Sequence, residues 1–235
     1  MKQGKFFVLE GMDGSGKATQ TALLVEALKK RGYEVKKIDF PQYGKASAGL
    51  LENYLKGVYG SAEAVGAYRA SIFYACDRYD LSSTIKQWLA EGKIIIADRY
   101  VASNIGHQGG KLISNKKDWG KYVSWLHNLE FAIFEIPKPD YTLILKISPA
   151  LSMKMSNRIT DKEKQKKRAS YLGDSKKQDI HEADKKHLAN TLKSYLAIAK
   201  KYPQEYKIIE CQKDENFLSK EIIKEKILGL VEEKI

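Results

Sequence analysis

The residues best suited to chemistry form a glycine-rich run near the N-terminus, GMDGSGK at positions 11–17. The run follows the apolar segment Phe6–Glu10 and opens the amphipathic segment Lys17–Arg31. Glycines at this spacing between a strand and a helix let backbone N–H groups close around an anion, while the lysine reaches the β- and γ-phosphates of a nucleotide. We therefore predict an ATP site, with the Lys17 side chain directed into ligand or solvent. Its residues are Gly11, Met12, Asp13, Gly14, Ser15, Gly16, Lys17, Ala18 and Thr19.

The position after the lysine departs from the usual motif. A serine or threonine hydroxyl normally ligates Mg²⁺ there, whereas this chain has Ala18, which carries no side-chain oxygen. A magnesium ion that accompanies ATP must then be held by phosphate oxygens, water and a nearby carboxylate. The candidates are Asp98, at the end of the apolar segment Ile94–Asp98, and Asp13, inside the loop.

Two further groupings could contact a ligand. Asp98, Arg99 and Tyr100 end a predicted strand, and ligands of open parallel sheets bind at that edge. A salt bridge at a strand terminus would give the same pattern. Tyr74 precedes Arg78 by four positions in a helical stretch, which places a stacking ring and a forked donor on one side of the helix. That geometry suits a planar base, although aromatic stripes on helices more often belong to the core.

Short apolar segments alternate with longer amphipathic ones along the 235 residues, of which 43% are hydrophobic and 30% charged. This alternation predicts one α/β domain over residues 1–235, with a five-stranded parallel sheet covered by helices on both faces. The predicted strands are Phe6–Glu10, Val35–Asp39, Ile94–Asp98, Tyr141–Ile147 and Tyr206–Glu210. Helices are predicted over Lys17–Arg31 and Ala62–Leu89, around Leu188, Leu192 and Leu196, and around Ile223, Ile227 and Leu230.

Composition also limits the classes of function. No apolar run exceeds five residues, so no membrane span is expected, and two cysteines cannot form a disulfide framework. These features predict a soluble cytoplasmic protein. The net charge of +12, from 41 basic and 29 acidic residues, makes nucleic acids and phosphorylated metabolites the first candidate partners. A nucleic-acid-binding P-loop protein is one alternative, but we expect no nucleic-acid partner because the chain has no long basic helix and no aromatic-basic platform.

Residues 157–177 interrupt the alternation, because they are basic and lack an apolar stripe. Segments of this length inside compact domains are usually functional or disordered. We therefore predict a mobile basic lid over residues 157–177. The alternative is a solvated charged loop without a catalytic role.

The motifs together resemble the thymidylate kinase family, within the nucleoside monophosphate kinase group of P-loop proteins. The resemblance runs from about residue 5 to about residue 210, and its motifs occur in the family's order. They are GMDGSGK with Thr19 and Gln20, Phe40–Gly44 (FPQYG), the helical segment ending in Asp77 and Arg78, Asp98–Asn104 (DRYVASN) with Gln108, Lys138–Asp140 (KPD), and Asp179–Glu182.

The resemblance implies transfer of the γ-phosphoryl group of ATP to dTMP, with Mg²⁺, in dTTP biosynthesis, by a homodimer. It implies catalytic roles for Lys17, Arg99, Arg158 and Arg168, and adds Glu182 to the metal candidates. The implied dTMP-binding residues are Asp13, Phe40, Tyr43, Phe73, Tyr74, Arg78, Arg99, Asn104, Gln108 and Asp179. Another nucleoside monophosphate kinase, or a deoxynucleoside kinase, is the alternative within enzymes.

Three positions depart from the family's pattern. Gly14 replaces an arginine that some members carry in the phosphate loop, so we expect the catalytic arginines in the lid instead. His107 replaces the usual aromatic residue beside the sugar, which weakens the implied preference for deoxyribose. Gln42 occupies a position where a phosphate-binding arginine is common, so fewer cationic side chains are expected to bind the acceptor phosphate together with Arg99.

Overall fold

The computed structural model describes residues 3–156 and 185–235, and within these ranges five strands form one parallel sheet. They are β1 (Lys5–Gly11), β2 (Val35–Asp39), β3 (Ile94–Asp98), β4 (Tyr141–Lys146) and β5 (Tyr206–Glu210). The strand order is β2-β3-β1-β4-β5, with every neighbouring pair parallel. The five predicted strands are thus confirmed, and β1 lies at the centre of the sheet.

Helices connect these strands and cover the sheet. They are α1 (Lys17–Lys30), α2 (Gly49–Lys56), α3 (Ala62–Ala90), α4 (Val101–Gly110), α5 (Lys116–His127), α6 (Pro149–Ser156), α7 (Lys185–Lys201) and α8 (Lys220–Glu232). A 3₁₀ turn (Ala46–Ala48) precedes α2, and a π-helical segment (Asn128–Ile133) continues α5. A short antiparallel hairpin, β6 (Gln212–Lys213) and β7 (Asn216–Phe217), was not predicted.

The central strand shows why both faces of the sheet need cover. Successive side chains of a strand point to opposite faces, and four consecutive ones in β1 are fully buried. Phe6 and Val8 pack into a cluster built chiefly from α3, α4, α5 and α7. Phe7 and Leu9 pack into a second cluster, with α1 and α8. These two clusters confirm the predicted α/β architecture.

The apolar face of α7 differs from its predicted stripe. Leu188 is buried, but Leu196 has 37% of its surface exposed. Residues four apart on a helix of 3.6 residues per turn rotate by about 40° at each step, so a strict four-residue repeat drifts off one face. Tyr195 and Ile198 supply the buried contacts instead. The helix is confirmed; Leu188 and Leu192 of the predicted repeat pack on the core, and Leu196 does not.

The predicted lid at 157–177 lies outside the described residues, as do Arg158, Arg168, Asp179 and Glu182. Among the described residues, no helix is both long and apolar enough to cross a bilayer.

The strand ends bring the predicted motifs together. Leu9 of β1 pairs in register with Asp98 of β3, so the phosphate loop after β1 and Arg99 after β3 emerge side by side. Asp39 at the end of β2 pairs with Asp98 in turn. Because all three strands are parallel, their carboxyl ends form one edge of the sheet, where ligands of such folds bind.

Candidate active site

The phosphate loop ends at the N-terminus of α1, with Gly16 as the residue that precedes the helix. A helix N-terminus carries partial positive charge and unpaired N–H groups, so it attracts phosphate. Gly14 has a φ of +75°, in the left-handed region that glycine adopts without steric cost. This backbone geometry is what an anion-binding loop requires.

Lys17 is buried in this structure, contrary to the expectation that it points into solvent or ligand. Its Nζ atom donates hydrogen bonds to the carbonyl oxygens of Gly11 and Met12, each at 3.0 Å, and its exposed fraction is 7%. The ammonium thus satisfies its donors on the loop's own carbonyl groups. Burial lowers the pKa of Lys17 to about 8, and the nearby Arg99 adds to the effect.

This pKa predicts how ATP binding depends on pH. Above about pH 8 the free protein loses the Lys17 proton, and a neutral amine does not attract phosphate. Bound triphosphate favours the ammonium form, so binding takes up a proton in this range. We expect ATP affinity to fall by up to about tenfold between pH 8 and 9. Titration calorimetry in buffers of different ionisation enthalpy measures both quantities.

The Lys17→Arg variant serves as the control, because a guanidinium stays protonated throughout this range. Its ATP affinity should change little between pH 8 and 9. An equal loss of affinity in both proteins would show that another group titrates.

The position of Gly14 leaves no room for a side chain. A Cβ atom there would lie 2.8 Å from Cβ of Met155 and 2.9 Å from the carbonyl oxygen of Ser152, both in α6. The Ser152 hydroxyl also donates a 2.6 Å hydrogen bond to the carbonyl oxygen of Asp13. Helix α6 therefore packs directly on the loop and excludes an arginine at position 14.

Arg99 reaches the phosphate loop from the end of β3. Its Nη2 atom donates to the Asp13 carboxylate in an ion pair. Its Nη1 atom lies 3.3 Å from Ser103 Oγ and 3.3 Å from His107 Nε2, both in α4. The Asp13 carboxylate lies 3.9 Å from Lys17 Nζ as well. One carboxylate thus contacts both cations, and this contact holds them close together beside the loop.

Several predicted substrate residues line the neighbouring part of the fold. Phe40 is buried against Tyr100, with 5.6 Å between ring centroids. In α4, Asn104 donates through Nδ2 to the carbonyl oxygen of Ser71 at 3.2 Å. One helical turn later, Gln108 is 1% exposed, and neither amide atom has a hydrogen-bond partner among the described residues. An unpaired buried amide is costly, so Gln108 is well placed to bind a polar ligand group.

The two aromatic candidates in α3 share one ring contact and differ in another. Phe73 contacts the rings of Tyr54 and Tyr59, with centroid distances of 6.1 and 5.5 Å, and Tyr74 contacts the Tyr54 ring edge-on at 6.5 Å. Tyr43 packs on the same buried cluster as both aromatic residues. Tyr74 lies four residues before Arg78, on the same side of the helix. This spacing favours Tyr74 as the ring beside Arg78.

The Arg78 guanidinium, which is predicted to bind a base, is largely engaged by the carboxylate of Glu130. Arg78 is 2% exposed, and its Nε atom lies 3.1 Å from each carboxylate oxygen of Glu130, which also accepts from Nη2. Glu130 is itself fully buried, and its charge keeps the pKa of Arg78 above its usual value although burial acts in the opposite direction. Only Nη1 has no hydrogen-bond partner among the described residues. A contact of Arg78 with a base would therefore use Nη1 or the second N–H of Nη2.

Two acidic residues in this region were missed as site residues by sequence reasoning. Glu130 lies in the π-helical segment, far from Arg78 along the chain, so no local spacing indicates the pair. Asp77 is 1% exposed and accepts from Gln42 N at 2.9 Å and from Ser47 Oγ at 2.8 Å. These hydrogen bonds to Asp77 hold the segment after β2 in place. Gln42, at the position where other family members have a phosphate-binding arginine, therefore contacts Asp77.

The metal candidates differ in availability. Asp13 is engaged by Arg99 and lies near Lys17, so its charge is already offset. Asp98 has no side-chain hydrogen bond among the described residues, and its charge acts on Lys17 and Arg99. Thr19 is exposed and does not replace the oxygen that Ala18 lacks. No cluster of three or more His, Cys, Asp or Glu suited to a metal occurs in the described ranges. Asp98 therefore fits a magnesium ion held mostly by phosphates.

A parallel sheet with a glycine-rich loop before α1, and an arginine at the neighbouring strand end, defines a P-loop nucleotide kinase. The chain belongs to the thymidylate kinase family, whose profile matches residues 9–222. It is therefore an enzyme of the nucleoside monophosphate kinase type.

Individual relatives agree with this assignment. The chain is 32% identical to a thymidylate kinase of Mycobacterium tuberculosis over 171 residues, covering 72% of this chain and 78% of the relative. It is 31% identical to a probable thymidylate kinase of Thermococcus gammatolerans over 242 residues, covering 99% and 98%. The structure of a Candida albicans thymidylate kinase matches with a TM-score of 0.68 at 22% identity, covering 98% of this chain and 92% of the other. That last match shows the common fold.

Proposed function

We propose that this enzyme transfers the γ-phosphoryl group of ATP to dTMP and forms dTDP and ADP. The observation that carries the proposal is the Asp13 carboxylate that contacts both Lys17 and Arg99. Lys17 belongs to the loop that binds the donor phosphates, and Arg99 follows the adjacent strand. Two cations held together in this way can draw a donor and an acceptor phosphate into proximity, which is most of what phosphoryl transfer needs from a protein.

The remaining residues support a nucleotide acceptor. Gln108 and Nη1 of Arg78 offer polar groups without described partners, and Phe40 and Tyr74 offer rings for a planar base. We propose that Tyr43, Phe73 and Asn104 complete the acceptor site, together with Asp179, which lies outside the described residues. Another nucleoside monophosphate or deoxynucleoside kinase would share the phosphate residues, and a nucleic-acid-binding protein would not need them. Membership of the thymidylate kinase family favours dTMP over both.

An acceptor panel tests this assignment. Formation of the diphosphate is measured for dTMP, dUMP, ribothymidine monophosphate and dCMP at fixed ATP. We expect the highest kcat/KM for dTMP, with ribothymidine monophosphate accepted to a measurable degree because His107 replaces the aromatic residue beside the sugar. The Candida albicans relative is described as having broad substrate specificity, so a panel is more informative than one substrate. Highest kcat/KM for dCMP would contradict the proposal.

The lid arginines are expected to act on the transferring phosphate. Because α6 excludes a side chain at Gly14, the loop itself supplies no arginine to the equatorial oxygens of that group. Arg158 and Arg168 lie outside the described residues, in the basic segment of the sequence. We expect Arg158→Ala or Arg168→Ala to lower kcat by at least about tenfold, or about 1.4 kcal/mol, with little change in dTMP affinity. Arg158 should have the larger effect.

Steady-state kinetics of both single variants and the double variant decide this point. Replacement of Lys176, which lies near the end of the same basic segment, by alanine is the control for loss of charge alone. A double variant that turns over at the wild-type rate would assign the segment to the solvated surface.

We propose that Mg²⁺ accompanies ATP and is held by Asp98, with Asp13 in a lesser role and with Glu182, outside the described residues, as the candidate that the resemblance adds. The ion would neutralise phosphate charge when bound, while Lys17 and Arg99 position the two phosphates. Ala18→Ser adds the hydroxyl that the motif usually has. It should leave turnover intact and lower the Mg²⁺ concentration at half-maximal rate. Full activity in excess EDTA would contradict the proposal.

We propose a homodimer formed through the outer face of α3. Tyr68, Ile72 and Tyr79 lie on one side of that helix, and their exposed fractions are 41%, 40% and 54%. Ile133 of the π-helical segment is 63% exposed, and Phe134 contacts Tyr79. Contiguous exposed apolar side chains indicate an interface. Sedimentation should show a dimer that Ile72→Glu dissociates; a wild-type monomer at micromolar concentration would contradict it.

A cytoplasmic location stays a prediction that cell fractionation tests.

A further inference from the structure

We infer that Glu10 is a positioning residue for Arg99 and that Tyr195 makes this positioning depend on helix α7. Glu10 is the residue before Gly11 in β1, and its side chain is fully buried. It belongs to none of the site residues predicted from the sequence. The inference rests on the proposed function, because Arg99 is taken to hold the acceptor phosphate.

The Glu10 carboxylate has three donors, and each comes from a different element of the site. Oε1 accepts from the backbone N–H of Tyr100 at 2.8 Å. Oε2 accepts from Ser103 Oγ at 2.8 Å and from Tyr195 Oη at 3.0 Å. All three groups can donate at once to an ionised carboxylate, which only accepts hydrogen bonds.

Two of these bonds hold residues that are neighbours of Arg99, namely Tyr100 and Ser103. Arg99 has a φ of +72°, in the left-handed region that is strained for a residue other than glycine. Its own N–H is held by the carbonyl oxygen of Leu9 at 2.9 Å, and Glu10 holds the N–H of the next residue, Tyr100. The strained turn is thus fixed from both sides. Ser103 in addition donates to Glu10 and accepts from Nη1 of Arg99, so it links the carboxylate to the guanidinium.

The third bond connects this turn to α7. Tyr195 is fully buried, and its ring lies against Gly106 of α4, where an added Cβ would come within 2.4 Å of the ring. A side chain at position 106 would therefore displace Tyr195 from Glu10. His187, also in α7, lies 3.4 Å from His107, whose other nitrogen meets Arg99. Two chains of contacts thus connect α7 to Arg99, one through Tyr195 and Glu10 and one through His187 and His107. Tyr195 and Glu10 are both fully buried.

The charges support the same role. Burial raises the pKa of Glu10, while the positive charge of Arg99 and the N–H of Tyr100 act against the shift. A buried carboxylate is tolerated when it is paired and hydrogen-bonded. Glu10 therefore depends on Arg99 for its charge, as Arg99 depends on Glu10 for its backbone geometry.

The experiment compares Glu10→Gln and Tyr195→Phe with the matched control Tyr206→Phe. Tyr206 of β5 is also buried, and its hydroxyl lies 3.4 Å from Nε2 of His127 and forms no hydrogen bond with Glu10. We expect Glu10→Gln to lower kcat/KM for dTMP by about tenfold or more, and Tyr195→Phe by roughly three- to tenfold. The KM for ATP should stay within about twofold, because neither side chain forms a hydrogen bond with the loop that binds it. Tyr206→Phe should change neither constant.

A purely structural role predicts a different pattern. It would lower the melting temperature of all three variants and leave the ratio of the two KM values at the wild-type level, and that result would overturn the inference. If Glu10→Gln does not fold, Tyr195→Phe alone decides, since it keeps the ring and deletes one hydroxyl. Failure of the wild type to form dTDP would count against the proposed function. Calorimetric dTMP binding by the variants then still tests the role of Glu10 without turnover.

Discussion

Lys17→Ala is expected to lower kcat for dTDP formation by about 10²–10³-fold, the usual effect of removing one preorganised charge from a transition state. Lys17 is the cation of the phosphate loop, and its Nζ atom lies 3.0 Å from two loop carbonyl groups. The fold should tolerate the change, because burial already lowers the pKa of Lys17 and so disfavours its charge in the free protein. Steady-state kinetics with both substrates saturating, together with a thermal melt, measure the two effects.

Lys30→Ala is the matched control, since Lys30 ends the same helix and forms an exposed pair with Glu26. Exposed pairs of this kind contribute about 0–1 kcal/mol, so kcat should not change. Turnover by a well-folded Lys17→Ala protein at a rate near that of the wild type would refute the phosphate-loop assignment.

Arg99→Lys is expected to lower kcat/KM for dTMP by about 30-fold or more. A charge-assisted hydrogen bond contributes about 1.5–3 kcal/mol, and lysine keeps the charge but loses the fork that reaches Asp13 and α4 together. The KM for ATP should change less, because Arg99 contacts the loop only through Asp13 and one long bond to Gly11. Initial rates over a grid of both substrate concentrations separate the two effects.

Arg31→Lys provides the comparison, because Arg31 is an exposed residue at the end of α1 that pairs with Glu232. It should behave as the wild type. If Arg99→Lys raised the KM for ATP and the KM for dTMP equally, Arg99 would lie between the two phosphates and not on the acceptor phosphate alone.

Much of the fold could be predicted from the sequence because its signals are local. Four consecutive residues of β1, Phe6–Leu9, are apolar, and a glycine run followed by a helical pattern can form few structures other than a phosphate loop. The position of Asp98 and Arg99 at a strand end is also a local signal, because both residues directly follow the apolar run of β3. Alternation of strands and helices then implied the parallel sheet that brings the two motifs to one edge.

The parts that could not be predicted depend on contacts between distant residues. Glu130 occupies most of the Arg78 fork from a π-helical segment whose geometry has no clear sequence pattern. The orientation of Lys17 toward its own loop is a choice among rotamers that spacing does not determine. The exclusion of side chains at Gly14 comes from α6, which lies more than a hundred residues further along the chain. Tertiary packing decides each of these features, and local propensity does not.

Labelled phosphate shows directly where the γ-phosphoryl group of ATP goes. The purified protein is incubated with γ-³²P-labelled ATP, Mg²⁺ and dTMP, and the products are separated by chromatography. We expect label in dTDP, formed in amounts equal to ADP, and a rate about 10²–10³-fold lower for Lys17→Ala. Label released only as inorganic phosphate, or ADP formation that does not depend on dTMP, would contradict the central claim that this enzyme phosphorylates dTMP.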